Sequence, residues 1–440
     1  MALTRDNAYI GATTISAGTM RVGNGGTTGS LNAGSAVSVA GALEFYRSNG
    51  SEVTIGNAIS GAGTVRLLGT GVSEQSQYTL SGNNSSFTGA MVIDQARVQF
   101  DNANDVGSAS MITVNSGGSA WLNGATIARP LTLSGNGWTE GVGNLGALRV
   151  SSGTWSGAIT LAGNARLTAW TGETTGIISG AIGDGAGSFG IEKTGTGTLT
   201  LSGANTYDGA TTVNAGRLVV SNTLLNTSGI TVNNGATAEL GATNMFVGGH
   251  GVAVNNARVI TVNGSTLVMN SSMDSRIGNV TLNNGSTWTS NRGLGNYDVL
   301  LANTTTGAAT VSVTGSGAST MNGSGGIHLQ GVQNFYVEDT TGSSAADLTV
   351  AMILGAQGSA GGSAGGINKT GAGTMQLTNA DNVFTGATTI GGGTLELASG
   401  GRLGSGSYAG DITNNATLLI NTTANQTLSG NMTGNGALVK

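Results

Sequence analysis

One segment of this chain occurs twice, and its form restricts the fold more than any other feature of the sequence. Residues 191–201 read IEKTGTGTLTL and residues 367–377 read INKTGAGTMQL. Both copies continue through an asparagine to a second shared segment, GATTV at 209–213 and GATTI at 386–390. Each then closes with a glycine turn and one further short strand. A chain with such self-similarity repeats one local structural unit.

The same pattern recurs elsewhere in weaker form. A copy near residues 3–22 begins part-way through the motif, and a degenerate copy lies near 78–100. A last copy near 428–440 ends at Lys440, which occupies the motif position of Lys193 and Lys369. The sequence therefore predicts one continuous repeat structure over residues 1–440, cut within a repeat at both ends. The five predicted copies lie near residues 3–22, 78–100, 191–220, 367–397 and 428–440.

Within each copy, polar and apolar residues alternate. The segment Thr198-Leu199-Thr200-Leu201 is an example, and this period of two predicts short strands with one buried face. Similar alternation predicts that Leu43, Phe45, Phe335 and Val337 point inward, and that Glu44, Tyr46 and Tyr336 point outward. In the two best copies, the predicted inner residues are Leu199, Leu201, Val213, Leu218 and Val220, and Met375, Leu377, Ile390, Leu395 and Leu397.

Two all-β architectures fit such strands, a series of antiparallel sandwiches and a parallel β-solenoid. The irregular spacing of the copies favours the solenoid, because coils tolerate loops of different length. The single proline, Pro130, agrees with strands that are paired on both sides. With roughly 20 residues per coil, the chain is predicted to form about 22 coils, a rod on the order of 100 Å long at the usual strand spacing.

Composition excludes several other classes of protein. The chain has 79 glycines but neither the triplet period nor the proline of collagen, and it has no cysteine for a disulfide scaffold. The hydrophobic share of 38 % argues against disorder. With 16 basic residues and a net charge of −5, we expect no nucleic-acid partner. Without an apolar stretch of about 18 residues, we expect no membrane insertion by a helix of this chain.

The repeat resembles the autotransporter-associated β-strand repeat of bacterial autotransporter passengers. The residues that carry the resemblance are Lys193-Thr194-Gly195, Gly197-Thr198-Leu199, Asn205, Tyr207 and Gly209–Val213, with a second set between Lys369 and Gly393. The resemblance implies a right-handed parallel β-helix that is exported through the outer membrane and displayed on or outside the cell. It implies a role in adhesion, self-aggregation or biofilm formation, and no particular ligand.

The sequence departs from a complete autotransporter in two respects. It shows no apolar signal segment at the N-terminus and no C-terminal set of membrane-barrel strands. We therefore expect an excised passenger fragment whose export elements lie elsewhere.

The sequence suggests little chemistry, so we expect no catalytic residue, no metal site and no cofactor. The two histidines, His250 and His328, are 78 positions apart. The alternative hypothesis is a polysaccharide-degrading or glycan-binding β-helix enzyme, which needs paired carboxylates. Its candidates are Glu338 with Asp339, and Glu173.

Aromatic residues in outward positions or in predicted loops are the candidate surface contacts. The predicted loops span residues 68–78, 135–146, 168–176 and 290–298. The candidate contact residues are Tyr46, Trp138, Trp170, Tyr297 and Tyr336.

Two kinds of partner are expected for an adhesin of this type. One is a second copy of the chain through lateral contacts between weakly charged surfaces, and the other is a host or bacterial surface protein or glycan. A purely structural spacer is a further alternative. The asparagines Asn205, Asn382, Asn233 and Asn283 are predicted to have structural roles in turns or in stacked amide ladders.

Overall fold

The computed structural model describes the chain except residues 49–51, 171–174, 243–244, 247–257, 271–274, 292–298, 302–307 and 357–363. The described residues form an all-β parallel β-solenoid of about 17 turns and contain no α-helix. This confirms the predicted fold class, while the right-handed sense stays a prediction. The chain divides into two compact units, Met1–Val219 and Val220–Lys440.

In the first unit, the strands of the coil pair in parallel with the strand at the equivalent place one turn later, as Thr64–Leu68 does with Ala90–Asp94. The short strands Thr139–Glu140 and Gly143–Asn144 form an antiparallel pair instead. One short 3₁₀ turn covers Ala103–Asp105. The strands are β1 Ala2–Leu3, β2 Thr13–Ile15, β3 Thr19–Val22, β4 Val37–Val39, β5 Ala42–Tyr46, β6 Val53–Ile55, β7 Ile59–Ser60, β8 Thr64–Leu68, β9 Gln77–Leu80, β10 Ala90–Asp94, β11 Arg97–Phe100, β12 Met111–Val114, β13 Ser119–Asn123, β14 Thr126–Ile127, β15 Leu131–Gly135, β16 Thr139–Glu140, β17 Gly143–Asn144, β18 Leu148–Ser151, β19 Thr154–Trp155, β20 Ile159–Thr168, β21 Thr175–Ile178, β22 Ile182–Gly183, β23 Ile191–Thr194, β24 Thr198–Leu201 and β25 Thr211–Val213.

The second unit is built in the same way, and a second 3₁₀ turn covers Gly404–Gly406. The strand at its start is β26 Arg217–Val220. The strands that follow are β27 Gly229–Asn233, β28 Thr237–Leu240, β29 Val259–Asn263, β30 Thr266–Met269, β31 Ser275–Ile277, β32 Val280–Asn283, β33 Thr287–Ser290, β34 Val299–Leu301, β35 Thr310–Thr314, β36 Ser319–Asn322, β37 Gly326–Leu329, β38 Val332–Val337, β39 Leu348–Val350, β40 Ile353–Ala356, β41 Gly366–Thr370, β42 Thr374–Leu377, β43 Thr388–Ile390, β44 Thr394–Ser399, β45 Ser407–Tyr408, β46 Ile412–Asn414, β47 Thr417–Thr422, β48 Thr427–Leu428, β49 Met432–Thr433 and β50 Ala437–Val439.

The core consists of apolar columns, because residues in the same register of successive turns point the same way. One column in the first unit has members that are at most 2 % exposed, namely Leu43, Val65, Met91, Ile112, Leu131 and Ile159. The ten inner residues predicted in the two best repeat copies are all at most 1 % exposed. The predicted inward positions of Leu43, Phe45, Phe335 and Val337 are confirmed as well.

The turns are longer than predicted. Paired residues lie as few as 19 positions apart, as in Ala2 with Arg21, and as many as 34 apart, as in Gln333 with Ile367. The prediction of about 22 coils of roughly 20 residues is therefore wrong, because loops of different length leave the coil between strands.

Outer positions also stack in register, and this changes the environment of Glu44. Glu44 lies on the outer face, as the alternation predicts, but it is only 9 % exposed. Arg21 lies beside it on one neighbouring turn and Arg66 on the other. The Glu44 carboxylate lies 2.7 Å from the Arg21 guanidinium and 3.6 Å from that of Arg66, and these two side chains cover it.

The asparagines have the structural roles predicted for them. The buried Asn205 side chain accepts from the Ile182 N–H at 3.2 Å and donates to the Gly203 carbonyl at 2.8 Å. Asn382 does the same with the Leu354 N–H at 3.0 Å and the Arg402 carbonyl at 3.0 Å.

An amide ladder also forms on the outer face of the second unit. Asn263 donates to Asn233 at 2.6 Å, and Asn283 donates to Asn263 at 2.7 Å. The left-handed backbone conformation of the turns is adopted by the next residue in the sequence, Asn234 with φ 58° after Asn233 and Asn284 with φ 56° after Asn283.

Candidate functional site

Four turns of the first unit place their loops side by side at one edge. Strands β8, β10, β12 and β15 are neighbours in one parallel ladder, so the segments that follow them emerge in the same order. The segments after β10 and β12 are short turns, 95–96 and 115–118. Those after β8 and β15 are long and project from the coil. The long segments therefore flank two low turns.

The two long segments bond to each other above the low turns. The Glu74 N–H donates to the Thr139 carbonyl at 3.1 Å, and the Gly141 N–H donates to the Glu74 carboxylate at 2.7 Å. The Trp138 indole N–H donates to the Gln75 carbonyl at 3.0 Å. We call residues 69–76 and 135–146 together the arch. Strands β16 and β17 form an antiparallel hairpin at its second foot.

Stacked cations and aromatic rings support this second foot. The Trp121 ring lies between the guanidinium of Arg97, 4.7 Å from the ring centre, and that of Arg149, at 4.4 Å. Arg97 also lies 5.4 Å from the centre of the Trp138 ring. The Glu140 carboxylate is 3.1 Å from Arg97 and 3.9 Å from Arg149. Cation–π contacts and a partly buried ion pair therefore fix the hairpin on the coil.

The arch partly encloses a cavity of about 190 Å³. It is lined by Gly71, Val72, Gln95, Ser116, Gly117, Trp138 and Thr139. A second cavity of about 290 Å³ shares Gln95 with the first. It is lined by Arg21, Tyr46, Leu68, Gly69, Asp94 and Gln95.

Two solvent-exposed side chains on the cavity floor form no bond with the protein and are open to water or to a ligand. Neither the Gln95 amide nor the Ser116 hydroxyl forms a hydrogen bond with any residue that the structure describes. Gln95 also has φ 51°, a left-handed conformation that is uncommon for a residue other than glycine. Backbone strain of this kind is concentrated at functional sites.

The structure brings together two of the five predicted contact residues. Tyr46 and Trp138 line the two neighbouring cavities. Tyr46 is half-buried, with the Arg21 guanidinium 5.4 Å from its ring centre. Trp138 is 3 % exposed, so its prediction as an open surface contact is corrected: Arg97 and the Gln75 carbonyl hold the ring inside the arch.

The other three predicted contact residues lie apart from the cavities. Trp170 is half-buried, with its ring centre 6.0 Å from the Arg149 guanidinium. Tyr336, in the second unit, is 39 % exposed, and its outward position is confirmed. Tyr297 lies outside the described residues.

The two carboxylates considered for catalysis that the structure describes, Glu338 and Asp339, are engaged in local hydrogen bonds. Glu338 accepts a hydrogen bond from the Tyr336 hydroxyl at 3.2 Å, and Asp339 accepts one from the Gly342 N–H at 2.8 Å, so each carboxylate bonds within its own segment. His328 is 6 % exposed, since β37 is buried along its whole length. His250 and Glu173 lie outside the described residues.

Within the described part of the chain, no three histidine, aspartate or glutamate side chains come together as a possible metal site.

Sequence reasoning missed two buried lysines. Lys193 lies in the core register between Leu167 and Val213, and it donates to the carbonyls of Gly195 at 2.7 Å and Ala215 at 2.9 Å. Burial lowers the pKa of Lys193 to about 8. The signal was present in the sequence, because the lysine occupies an inward position of the alternating pattern.

The second lysine repeats this arrangement in the second unit. Lys369 lies between Phe335 and Ile390 and donates to the carbonyls of Gly371 at 3.0 Å and Gly392 at 2.9 Å. Burial lowers its pKa to about 8, while the nearby Asp347 carboxylate acts in the opposite direction. In both copies the ammonium group joins two adjacent turns through their backbone carbonyls.

The passenger-associated-transport-repeat family matches residues 1–22, 191–220 and 367–397, which correspond to three of the five predicted copies. No curated protein and no solved structure matches the chain. A helix long and apolar enough to cross a membrane is absent from the described residues.

These repeats imply export to the cell surface or to the outside of the cell. The buried lysines and asparagines of the matched segments occupy equivalent places in the parallel turns, so the repeat and the fold support each other. The chain therefore carries passenger-associated transport repeats on a parallel β-solenoid, an arrangement consistent with an autotransporter passenger domain.

Proposed function

We propose that this passenger is an adhesin that attaches bacterial cells to other cells or to host surfaces. The observation that carries the proposal is the arch of residues 69–76 and 135–146. The coil does not need these long segments, since β10 and β12 are followed by short turns at the same edge. A purely structural spacer does not require two long loops that are hydrogen-bonded to each other above exposed polar side chains. The arch therefore favours adhesion over a purely structural role.

Self-association is the second part of the proposal. Outer strand positions carry threonine and asparagine in register, as in the Asn233–Asn263–Asn283 ladder. The net charge is only −5, so two copies repel each other weakly. Many weak polar contacts in register add up along matching surfaces.

The proposal assigns the chain no chemical reaction. The two carboxylates of the competing hypothesis, Glu338 and Asp339, are engaged by Tyr336 and Gly342 within their own segment. The binding surface of a glycan-directed adhesin would be the arch edge in the first unit.

Surface display tests the proposal. The chain is fused to an autotransporter barrel in a non-adherent bacterium, and attachment to epithelial cells, attachment to mucin and the rate of cell settling are measured. The control displays an unrelated β-solenoid of equal length. We expect increased attachment or settling relative to this control. Attachment and settling equal to the control would refute the adhesive function and leave the spacer.

A further inference from the structure

We propose that the cavity under the arch binds a single neutral sugar residue, such as the terminal residue of a surface glycan. The inference rests on the proposed adhesive function and adds the site and the chemical class of ligand.

The groups that build the arch are already bonded. Glu74, Gln75 and the Trp138 indole join the two feet, and Glu140 lies beside Arg97 and Arg149. The Gln95 amide and the Ser116 hydroxyl on the floor are solvent-exposed and have no hydrogen-bond partner among the described residues, so a ligand would replace only water there. Together they offer both donors and acceptors to a ligand.

Space around Gln95 is kept open by glycines on the adjacent turns. A Cβ atom at Gly71 would lie 2.5 Å from the Gln95 side-chain oxygen, and one at Gly117 would lie 3.5 Å from its Cγ. A Cβ atom at Gly69 would overlap the Gln95 carbonyl oxygen. Any larger residue at Gly69 or Gly71 would displace Gln95 or fill the cavity.

The lining residues select the charge of the ligand. None of the seven residues around the cavity of about 190 Å³ carries a charge. An anionic ligand would lose its hydration there without gaining a cation. A neutral ring with several hydroxyl groups matches the amide and the hydroxyl groups of Gln95, Ser116 and Thr139, while the exposed Val72 side chain offers contact for one of its C–H faces.

The volume selects the size of the ligand. It lies below the ~300 Å³ at which pockets begin to enclose a drug-sized molecule, so one sugar residue fits and a longer chain must leave through the open side. A ligand of this size is expected to bind with an affinity in the millimolar range. Many copies on one cell raise the effective affinity through avidity.

Saturation-transfer difference NMR on the full chain tests binding directly. The probes are the methyl glycosides of glucose, galactose, mannose and N-acetylglucosamine, with those of glucuronic acid and sialic acid as anionic counterparts. We expect saturable transfer to at least one neutral glycoside and none to the anionic ones. Transfer to no neutral glycoside, or stronger transfer to an anionic one, would overturn the proposal.

Two glycine variants separate the site from the fold. Gln95→Gly removes the side chain from the floor and suits the left-handed backbone, so it is expected to leave unfolding unchanged and to weaken binding about tenfold. Ser405→Gly is the matched control, since Ser405 also has a positive φ, 51°, but lies in the second unit. Ser405→Gly must bind like the parent. Equal binding by Gln95→Gly and the parent would place the ligand elsewhere.

The surface-display assay distinguishes failure of the sugar site from failure of the adhesive function. Cells that display Gln95→Gly are expected to lose attachment that free neutral glycoside inhibits. Inhibition on mucin indicates a host glycan, and inhibition of settling indicates a bacterial one; either result supports the site. If the parent chain attaches cells and Gln95→Gly attaches them equally well, the adhesin stands and the sugar site is wrong. If the parent does not attach cells, the adhesive function itself fails.

Discussion

At the scale of single residues, inward and outward positions along a strand differ sharply in their contribution to stability. Leu201 is fully buried, whereas Thr200, the preceding residue of β24, is half-buried on the outer face. We expect Leu201→Ala to lower the free energy of unfolding by about 2–5 kcal/mol, as truncation of a buried leucine does. Thr200→Ala is the control and should change it by less than about 0.5 kcal/mol. Denaturant unfolding measures both, and a loss below about 0.5 kcal/mol at Leu201 would contradict its core position.

Lys193 gives stability an unusual pH dependence. Its pKa is about 8 in the folded chain, and in the unfolded chain it has the ordinary value of 10.5. Between about pH 8 and pH 10.5 the unfolded state therefore binds more protons than the folded state. The free energy of unfolding therefore rises with pH from about 8 to about 10.5, by on the order of 2 kcal/mol. Above pH 10, the raised pKa of the buried Tyr207 opposes this trend.

The readout for Lys193 is a difference between two pH profiles. Denaturant unfolding of the parent and of Lys193→Met is followed from pH 7 to 10. The parent should gain stability relative to the variant as the pH rises. Parallel profiles would show that the ammonium group carries no burial penalty in the fold.

At the scale of elements, Asn205 ties its turn to the preceding one through Ile182 and also bonds to Gly203. Asn205→Ala leaves these buried backbone groups without their side-chain partner and should cost about 1–3 kcal/mol. Thermal unfolding measures the loss, and attachment by displayed cells should be unchanged at a temperature where the variant is folded. Loss of attachment with unchanged melting would instead assign Asn205 to ligand binding.

The arch is expected to open without unfolding the coil. In Glu74→Ala, the Gly141 N–H loses its carboxylate partner, 2.7 Å away in the parent. Limited proteolysis should then cut within residues 69–76 faster, at unchanged global stability, because local opening does not require the core to unfold. Asp339→Ala, which removes an exposed carboxylate in the second unit, is the control. An unchanged cleavage rate in Glu74→Ala would show that the two feet do not depend on this bond.

Local sequence pattern predicted the elements well, because burial in a strand follows a period of two. All ten residues that it placed inside in the two best repeats lie in the core. It did not predict the arch, since Ser73 and Glu74 meet Thr139 and Gly141 across 66 and 67 positions, and only the lengths of the intervening loops decide that they meet. For the same reason Trp138 was placed on the surface, when residues from other turns enclose it.

At the scale of the whole molecule, weak charge and polar outer faces predict self-association. Sedimentation velocity at rising protein concentration should show reversible larger species, with little change between low and high salt, because ion pairs contribute little to such contacts. Leu438→Lys with Val439→Lys places charge on the exposed strand β50 and controls for pairing at that edge. A chain that stays monomeric, or one whose association is abolished by salt, would contradict lateral polar contact.

The central claim of this account is that parallel turns stack in the register that places the arch above its two low turns. Thr113 of β12 and Thr132 of β15 are paired across adjacent turns of this region. The chain contains no cysteine, so a disulfide between cysteines introduced at these two positions reports on the pairing alone. The account predicts nearly complete cross-linking of Thr113→Cys/Thr132→Cys under mild oxidation and little cross-linking of the offset pair Thr113→Cys/Ser134→Cys. Equal cross-linking of the two pairs, or none in the first, would contradict it.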